Sequence, residues 1–468
     1  MNIWQRRMSA LNYETEEQVL LRAKEAEGKS FYEIDKTGRL KTSKNKGGLG
    51  QIIEESLFEY EINNNAKPDF ENLGIELKVT PIKINKNKTI SSKERLVLNI
   101  INYVEEYDKT FFTSSFWLKN QKLLMMFYLW EPEIPKDNYI ILKSLLYEYP
   151  EEDLIIIQRD WEIIVQAIRD GKAHELSEGD TLYLGACTKG ANRNSVRVQP
   201  FSERPARQRA YSLKQSYMST IIRQEFNHEK LVKFTSVKEL KEQTLEGILD
   251  ERFSGYIGME LVDIADSVGY RINEANYSTI PNLISTVLGI SGTKLNQIEE
   301  FAKSNIQFKT IRLEPNGVPK ESMSFENINF HEWLNEEWED NQMFKTFEET
   351  KFLFIVFEYK DKYEKGKKRK LYFKGIKLWN MPIPMIENEI KQVWTEVRRV
   401  LIEGVQLVPT KRGISNNFPK SKFNGVAHIR PKGKDSSDKV QLPDGQMITK
   451  QCYWLNREYI AKILIDIS

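Results

Sequence analysis

Three elements of this chain recur in the same order and at the same spacing in its second half. A repeat of that kind commits the chain to two copies of one supersecondary plan. Asp160-Trp161 opens a helix-like run that stops at Gly171, and Trp394 leads a similar run to Gly404. A strand with a basic turn follows each, Leu182 to Asn192 in the first copy and Val426 to Lys434 in the second. Each copy closes on an aromatic and basic segment patterned as a helix, Ala210 to Tyr217 and Cys452 to Tyr459. One such match arises easily by chance, but three in register do not. The length of 468 residues also exceeds what one core usually organises. The expected layout is a first lobe over residues 1–225, a helical linker over 226–268 and a second lobe over 269–468.

Several function classes drop out. No apolar run approaches the length of a membrane span, and the stretch Met1 to Arg7 lacks the apolar core of a signal peptide, so a cytoplasmic protein with no membrane partner is expected. Cys187 and Cys452 have no CxxC spacing, and His174, His228, His331 and His428 are scattered, which argues against disulfide, zinc and histidine-based metal sites. A net charge of +2 conceals 69 basic and 67 acidic side chains, so any nucleic-acid surface must be a local patch. Candidate patches are Lys36 to Lys46, the set Arg193, Arg197, Arg204, Arg207 and Arg209, the run Lys365 to Lys370, and Lys411 to Lys434. The run at Lys365 lies between two apolar strand-like stretches and reads as a solvated hairpin tip. The arginine set lies in a polar loop between a strand and a helix, where a groove-reading loop fits.

Chemistry concentrates between Pro68 and Val79. Pro68-Asp69 precedes the alternating run Leu73 to Val79, which belongs on a strand. Successive strand side chains face opposite ways, so Glu76 and Lys78 share one face while Ile75, Leu77 and Val79 take the other. Two carboxylates and an amine form a compact set for holding a hard cation beside a scissile phosphate. The turn Gly47 to Gly50 leads into a helix-like run, Gln51 to Phe58, that carries Glu54 towards the same place. The repeat aligns Ile306 to Thr310 with Ile75 to Val79, which keeps the lysine but puts Gln307 where Glu76 stands, and no counterpart of Pro68-Asp69 is evident. An amide is a much weaker ligand for a hard dication, so the second copy is expected to bind DNA without cutting it.

These residues resemble the MutH-type endonucleases, a family that includes the mismatch-repair nicking enzyme and larger type II restriction endonucleases cutting at GATC. The resemblance is strongest over Lys46 to Glu55, Lys67-Pro68-Asp69, Gly74 to Lys78 and Ser91 to Tyr103. The stretches His174 to Gly179 and Thr188 to Asn192, together with the length, are similar to the restriction branch. The resemblance implies an α/β fold of two tandem restriction-endonuclease-like lobes, each a mixed sheet flanked by helices, the second degenerate. It implies Mg2+ held by Asp69, Glu76 and the Leu77 carbonyl, with Lys78 orienting a water and Glu54 shaping the site or binding a second ion. DNA reading is assigned to Lys189 in the first lobe's basic turn and to Tyr211 and Lys214 in the segment after it. Arg430 and Lys432 of Arg430-Pro431-Lys432 take that part in the second lobe. Cys187 stands where the family can have arginine, so Arg193 or Arg197 is expected to supply part of the first lobe's specificity. The implied partners are double-stranded DNA containing GATC, a second chain meeting the first on DNA, and a cognate DNA methyltransferase that protects host DNA. The second lobe would act as an allosteric effector on a second site. A mismatch-repair nickase and a non-catalytic DNA-binding regulator are the alternatives.

Overall fold

The most continuously apolar short run of each half becomes its central strand. Lys122 to Leu129 reads KLLMMFYL and Lys351 to Tyr359 reads KFLFIVFEY. A strand that is apolar on both faces is stable only between two other layers. The computed structural model describes residues 13–42, 48–62, 66–190, 194–272, 279–411 and 413–467. It divides into two units. One comprises Met1–Leu176, Thr181–Val237 and Ala302–Ser304, and the other Ser177–Asp180, Lys238–Phe301 and Asn305–Ser468. The three-helix stretch from Val237 to Ser267, expected as a linker, falls almost wholly in the second unit. It is tied there by Gly258 N–H donating to the Phe373 carbonyl at 2.7 Å and by Phe253 packing on Phe373. No helix among the described residues is long and apolar enough to cross a membrane.

The first unit contains strands β1 (Ile75–Ile84), β2 (Ile90–Ser92), β3 (Leu96–Ile100), β4 (Lys122–Leu129), β5 (Ile141–Glu148), β6 (Leu184–Thr188), β7 (Val196–Gln199), β8 (Ser202–Arg207) and β9 (Arg209–Leu213). They form a mixed sheet in the order β2-β1-β4-β5, an antiparallel sheet β3-β9-β6 and the hairpin β7-β8. Within the mixed sheet β1 and β4 run parallel, with Glu76 opposite Leu123 and Lys78 opposite Met125. The helix Glu151–Arg169 carries three acids in its first turn, where they suit the positive end of the helix dipole, and buries Ile157, Trp161, Ile164 and Ile168. Its Asp160 is buried and accepts the backbone N–H groups of Leu182, Tyr183 and Leu184 at 2.8, 2.6 and 2.9 Å. That carboxylate fixes the start of β6, and with it the basic turn that follows.

The second unit repeats the plan in strands β10 (Ile306–Leu313), β11 (Met323–Asn327), β12 (Lys351–Tyr359), β13 (Leu371–Trp379), β14 (Val408–Thr410), β15 (Gly413–Ser415), β16 (Ala427–Pro431), β17 (Lys439–Gln441), β18 (Met447–Thr449) and β19 (Gln451–Leu455). Its sheets run β10-β12-β13 and β11-β19-β16, with two hairpins beside them. Register makes the correspondence specific. Ile306 pairs with Lys351 as Ile75 pairs with Lys122, which sets Gln307 against Glu76 and Lys309 against Lys78. Arg430 pairs with Cys452 as Cys187 pairs with Ala210, and Lys432 N–H bonds to the Lys450 carbonyl as Lys189 N–H bonds to that of Gln208. Even the irregularity in β3 between Val97 and Ile100 has its twin in β11 between Ser324 and Asn327.

The segments Ala210 to Tyr217 and Cys452 to Tyr459 are not helices throughout. Each is a buried strand, β9 or β19, that turns into a helix only at Gln215 or Arg457. Aromatic side chains on those strands bury well in a pleated surface, and tertiary burial overrides the helical spacing. The Lys365 run does form the exposed link between β12 and β13, where Lys367 pairs with Glu364, Arg369 with Glu314 and Lys370 with Glu260. Replacing Asp160 by alanine strands three backbone N–H groups in the interior at roughly 1–3 kcal/mol for each buried group left unsatisfied. The first unit of D160A should therefore unfold at a markedly lower urea concentration, with a loss of at least about 3 kcal/mol. An unchanged midpoint would refute the role given to this carboxylate.

Candidate active site

A turn and a strand end build the site. Phe70 N–H and the Ile75 carbonyl close the turn before β1 at 2.9 Å, and Gly74 at φ +66° takes the left-handed conformation that stops the short helical turn Glu71–Leu73. This brings Asp69 back alongside the strand. The Leu77 N–H donates to Asp69 Oδ2 at 2.9 Å, and the Asp69 N–H donates to Glu76 Oε2 at 3.3 Å. Two carboxylates that the sequence separates by a turn thus meet at one edge of β1.

Lysines flank the pair. Lys78 Nζ donates to Glu76 Oε1 at 2.8 Å, as their shared strand face requires. Lys119, on the helix Ser115–Asn120, brings its Nζ within 3.7 Å of the same oxygen. Sequence reading missed Lys119 because nothing near it in the chain carries a motif; only the packing of that helix over β1 brings it in. The helix is placed by buried polar contacts. Ser114 caps it by accepting the Trp117 N–H at 3.1 Å, Glu106 accepts the Ser115 N–H at 3.2 Å, and Asn120 donates to Asn99 at 2.8 Å.

The electrostatics are those of acids crowded out of water. Burial, then the neighbouring Glu76, pushes the Asp69 carboxyl up to about 7, against the pull of the Leu77 N–H and Lys78. Burial and Glu76 also raise Glu54, which lies on the π-helical turn Ile53–Leu57 that continues the helix Gly48–Ile52. Among the described residues, the one set of three acids with oxygens within 4.8 Å of one another is Glu178, Glu348 and Glu349 of the second unit, so Glu54 stands back from the Asp69–Glu76 pair. That acidic set comes from the turn Glu178–Asp180 and the helix Gln342–Glu349, not from β10, the register partner of β1.

The donor set suits a hard divalent cation. Two carboxylates share a half-buried edge, and their mutual repulsion is what an oxygen-seeking dication relieves. Tyr60 gives a second indication. Among the described residues its buried hydroxyl has no hydrogen-bond partner, and it feels Asp69, Glu54 and Glu76, so the water shell of a cation would satisfy it. Sequence reading missed Tyr60 as well; its ring is held at the site by Phe58 and Phe70.

The residues expected to meet DNA divide. Lys189 is exposed beyond the end of β6. Arg197 lies on the hairpin β7-β8 and donates through Nε to Gln208 at 3.0 Å, and Arg204, Arg207 and Arg209 likewise lie on strands and not in an irregular loop. Arg193 lies outside the described residues. Tyr211 and Lys214 are corrected: both are buried, the tyrosine hydroxyl on Glu106 at 3.1 Å and the lysine Nζ on the Thr181 carbonyl at 2.6 Å, so they hold the fold together and do not face a duplex. In the second unit Arg430 is exposed over the Trp454 ring at 5.4 Å, and Lys432 donates to the Phe325 carbonyl at 2.7 Å.

Comparison with known proteins follows the same division. The MutH model, described as the DNA mismatch repair enzyme MutH, matches residues 58–160, the part that holds Asp69, Glu76, Lys78 and Lys119. The chain is 39% identical to the type II restriction enzyme Sau3AI of Staphylococcus aureus across 97% of its own length and 99% of that protein. It is 31% identical to the mismatch repair protein MutH of Shewanella woodyi over 33% of this chain and 64% of the relative. The MutH of Vibrio vulnificus is 25% identical over 46% of this chain and 95% of its own length.

The Asp69 carboxyl titrates above the roughly 3.9 of an unfolded aspartate, so the fold prefers its neutral form. Its contribution to stability is therefore complete below pH ~4 and is lost as pH rises through about 7. In EDTA the first unit should lose stability over that window, and Asp69→Asn should remove much of the loss. Thermal unfolding of both proteins from pH 4 to 8 tests this, and parallel curves would contradict it.

Proposed function

The chain belongs to the MutH-like family of type II restriction endonucleases, and from that membership we propose that it cuts double-stranded DNA at GATC through the Asp69, Glu76 and Lys78 site of its first unit. It is a site-specific deoxyribonuclease, and members of this family use a divalent cation. The observation that carries the assignment is the Asp69–Glu76 pair flanked by Lys78 and Lys119, whose counterpart strand in the second unit has Gln307 in place of the glutamate.

Mg2+ is the cation proposed, with Asp69, Glu76 and the Leu77 carbonyl as its protein ligands. When bound it would supply Lewis-acid polarisation of the phosphoryl group and a lowered pKa for the attacking water. Lys78 orients that water and offsets negative charge as the pentacovalent phosphorus forms, a role that often carries the largest share of the barrier reduction. Lys119 approaches the same Glu76 oxygen as Lys78 and adds positive charge at the phosphate. Glu54, raised by burial, shapes the pocket and accepts a proton more readily than an exposed glutamate. Exposed Lys189 is the proposed base-reading residue of the first unit, where lysine on guanine O6 and N7 discriminates by about 1–3 kcal/mol. Arg197, with Arg193, is proposed to supply what Cys187 cannot.

The second unit is proposed to grip another copy of the recognition sequence through Arg430 and Lys432 and to favour the cutting state of the first, a coupling between two sites. One cutting centre per chain handles one strand at a time, so either two chains meet on the DNA or one chain nicks twice. A cognate methyltransferase shielding host DNA completes the system, placed with the enzyme in the cytoplasm.

Asp69→Ala, Glu76→Ala and Lys78→Ala should each lower cleavage roughly a hundredfold or more, while affinity for duplex in EDTA stays within a few fold. Undiminished cleavage by D69A would overturn the assignment. With plasmid of known sequence the products should be linear fragments ending at GATC. Accumulation of nicked circles alone would point to a repair-type nickase, and Mg2+-independent binding without cleavage to a regulator. A two-site substrate should be cut faster than a one-site substrate at low enzyme concentration; equal rates would remove the effector role. Arg430→Ala should abolish preference for GATC at the second site, whereas uniform weakening on all sequences would mean phosphate contact only.

A further inference from the structure

In the first unit Lys78 is neutralised by Glu76, but Lys309, at the same register position of β10, has no carboxylate on its strand to meet. Among the described residues its Nζ hydrogen-bonds to the Ser324 carbonyl, at 3.5 Å, and lies 4.8 Å from the centre of the Phe325 ring. Glu326, the acid whose charge Lys309 feels, is engaged by the Tyr453 hydroxyl and by Thr346 Oγ1 at 3.4 Å. A second ammonium converges on the same place, since Lys432 donates to the carbonyl of Phe325. Burial, joined by Lys432 and opposed by Glu326, pulls the Lys309 amine below the usual lysine range. A half-buried cation beside another cation is costly unless an anion joins them.

Space for that anion exists. Lys309 lines a cleft of about 510 Å3 along β10, into which Arg312 and Lys320 also face. Neither of these forms an ion pair among the described residues. Of the acids on the cleft wall, Glu314 is taken by Arg369 in a two-pronged contact at 2.6 and 3.1 Å, which leaves Glu321. The wall therefore carries more positive than negative charge, with Lys309 the half-buried member.

We propose that Lys309, together with Lys432, seats a backbone phosphate of duplex DNA directly on ammonium groups, at the position where the first unit uses acids and a cation. This rests on the reading that the second unit grips DNA, and it adds that the grip needs no metal. Substituting Gln307 for a carboxylate would then do more than disable cutting. It would free the strand lysine to become the phosphate ligand.

Residue-resolved acetylation of the full-length chain in EDTA, read by mass spectrometry, tests the proposal. With GATC duplex bound, Lys309 and Lys432 should each be modified at least fivefold more slowly than in free protein. Inorganic phosphate at matched ionic strength should protect little. Protection of Lys432 but not Lys309 would overturn this inference and leave the second unit's DNA contact standing. Protection of neither would overturn both. Protection of Lys309 by inorganic phosphate but not by duplex would mean a free-anion site and refute the DNA assignment. In parallel, Lys309→Met should reduce the slope of log affinity against log salt by about 0.9, one phosphate contact, while Lys309→Arg retains it. An unchanged slope in K309M would count against the seat even if the footprint agreed.

Discussion

The pairing of Asp69 with Glu76 is the constraint from which the first unit's chemistry follows. Each acid is fixed through the backbone of the other's segment: Leu77 N–H holds Asp69, and Asp69 N–H holds Glu76. Geometry alone therefore forces two carboxylates together, and their repulsion must be offset. Lys78 and Lys119 offset part of it, while burial first and Glu76 second still raise the Asp69 carboxyl. A site left short of positive charge in this way is prepared for a cation. The cost of that preparation is borne by the surrounding core, where β4 is buried on both faces and holds β1 in parallel register.

The second unit shows what the same scaffold does once that constraint is lifted. Its strands keep the register of the first to the residue, including the shared irregularity of β3 and β11. The structural tyrosine recurs too: Tyr211 places its hydroxyl on Glu106, and Tyr453 places its own on Glu326. At the edge that carries the acids in the first unit, the charge differs. With Gln307 for Glu76, the lysine two residues on turns to a carbonyl and an aromatic ring. Scaffold and chemistry have diverged separately because the core is set by apolar burial, to which one edge carboxylate contributes little.

Much of this was legible without coordinates. Alternation over Leu73 to Val79 placed Glu76 and Lys78 on one face, and the repeat predicted both the glutamine of the second copy and the place of Cys187 opposite Arg430. The failures share one cause. Ala210 to Tyr217 and Cys452 to Tyr459 carry helical spacing but begin as strands, because burial between other strands decides the conformation of an aromatic segment. The same burial removed Tyr211 and Lys214 from the DNA surface. Lys119 and Tyr60 were invisible for the opposite reason: each is an ordinary residue in its local sequence, brought to the acids only by packing.

What the amino-acid order determined by itself was periodic and local: two copies of one plan, a strand bearing Glu76 and Lys78 on one side, and a second copy lacking the acid. These follow from side-chain alternation and residue identity, which need no knowledge of distant contacts. Folding alone decided which groups converge. The turn at Gly74 swings Asp69 onto the strand, a capped helix delivers Lys119, and an aromatic cluster leaves the Tyr60 hydroxyl facing the acids. Charges and hydrogen-bonding groups far apart in the chain acquire their energies from separation in space and from exclusion of water, and both are properties of the packed core.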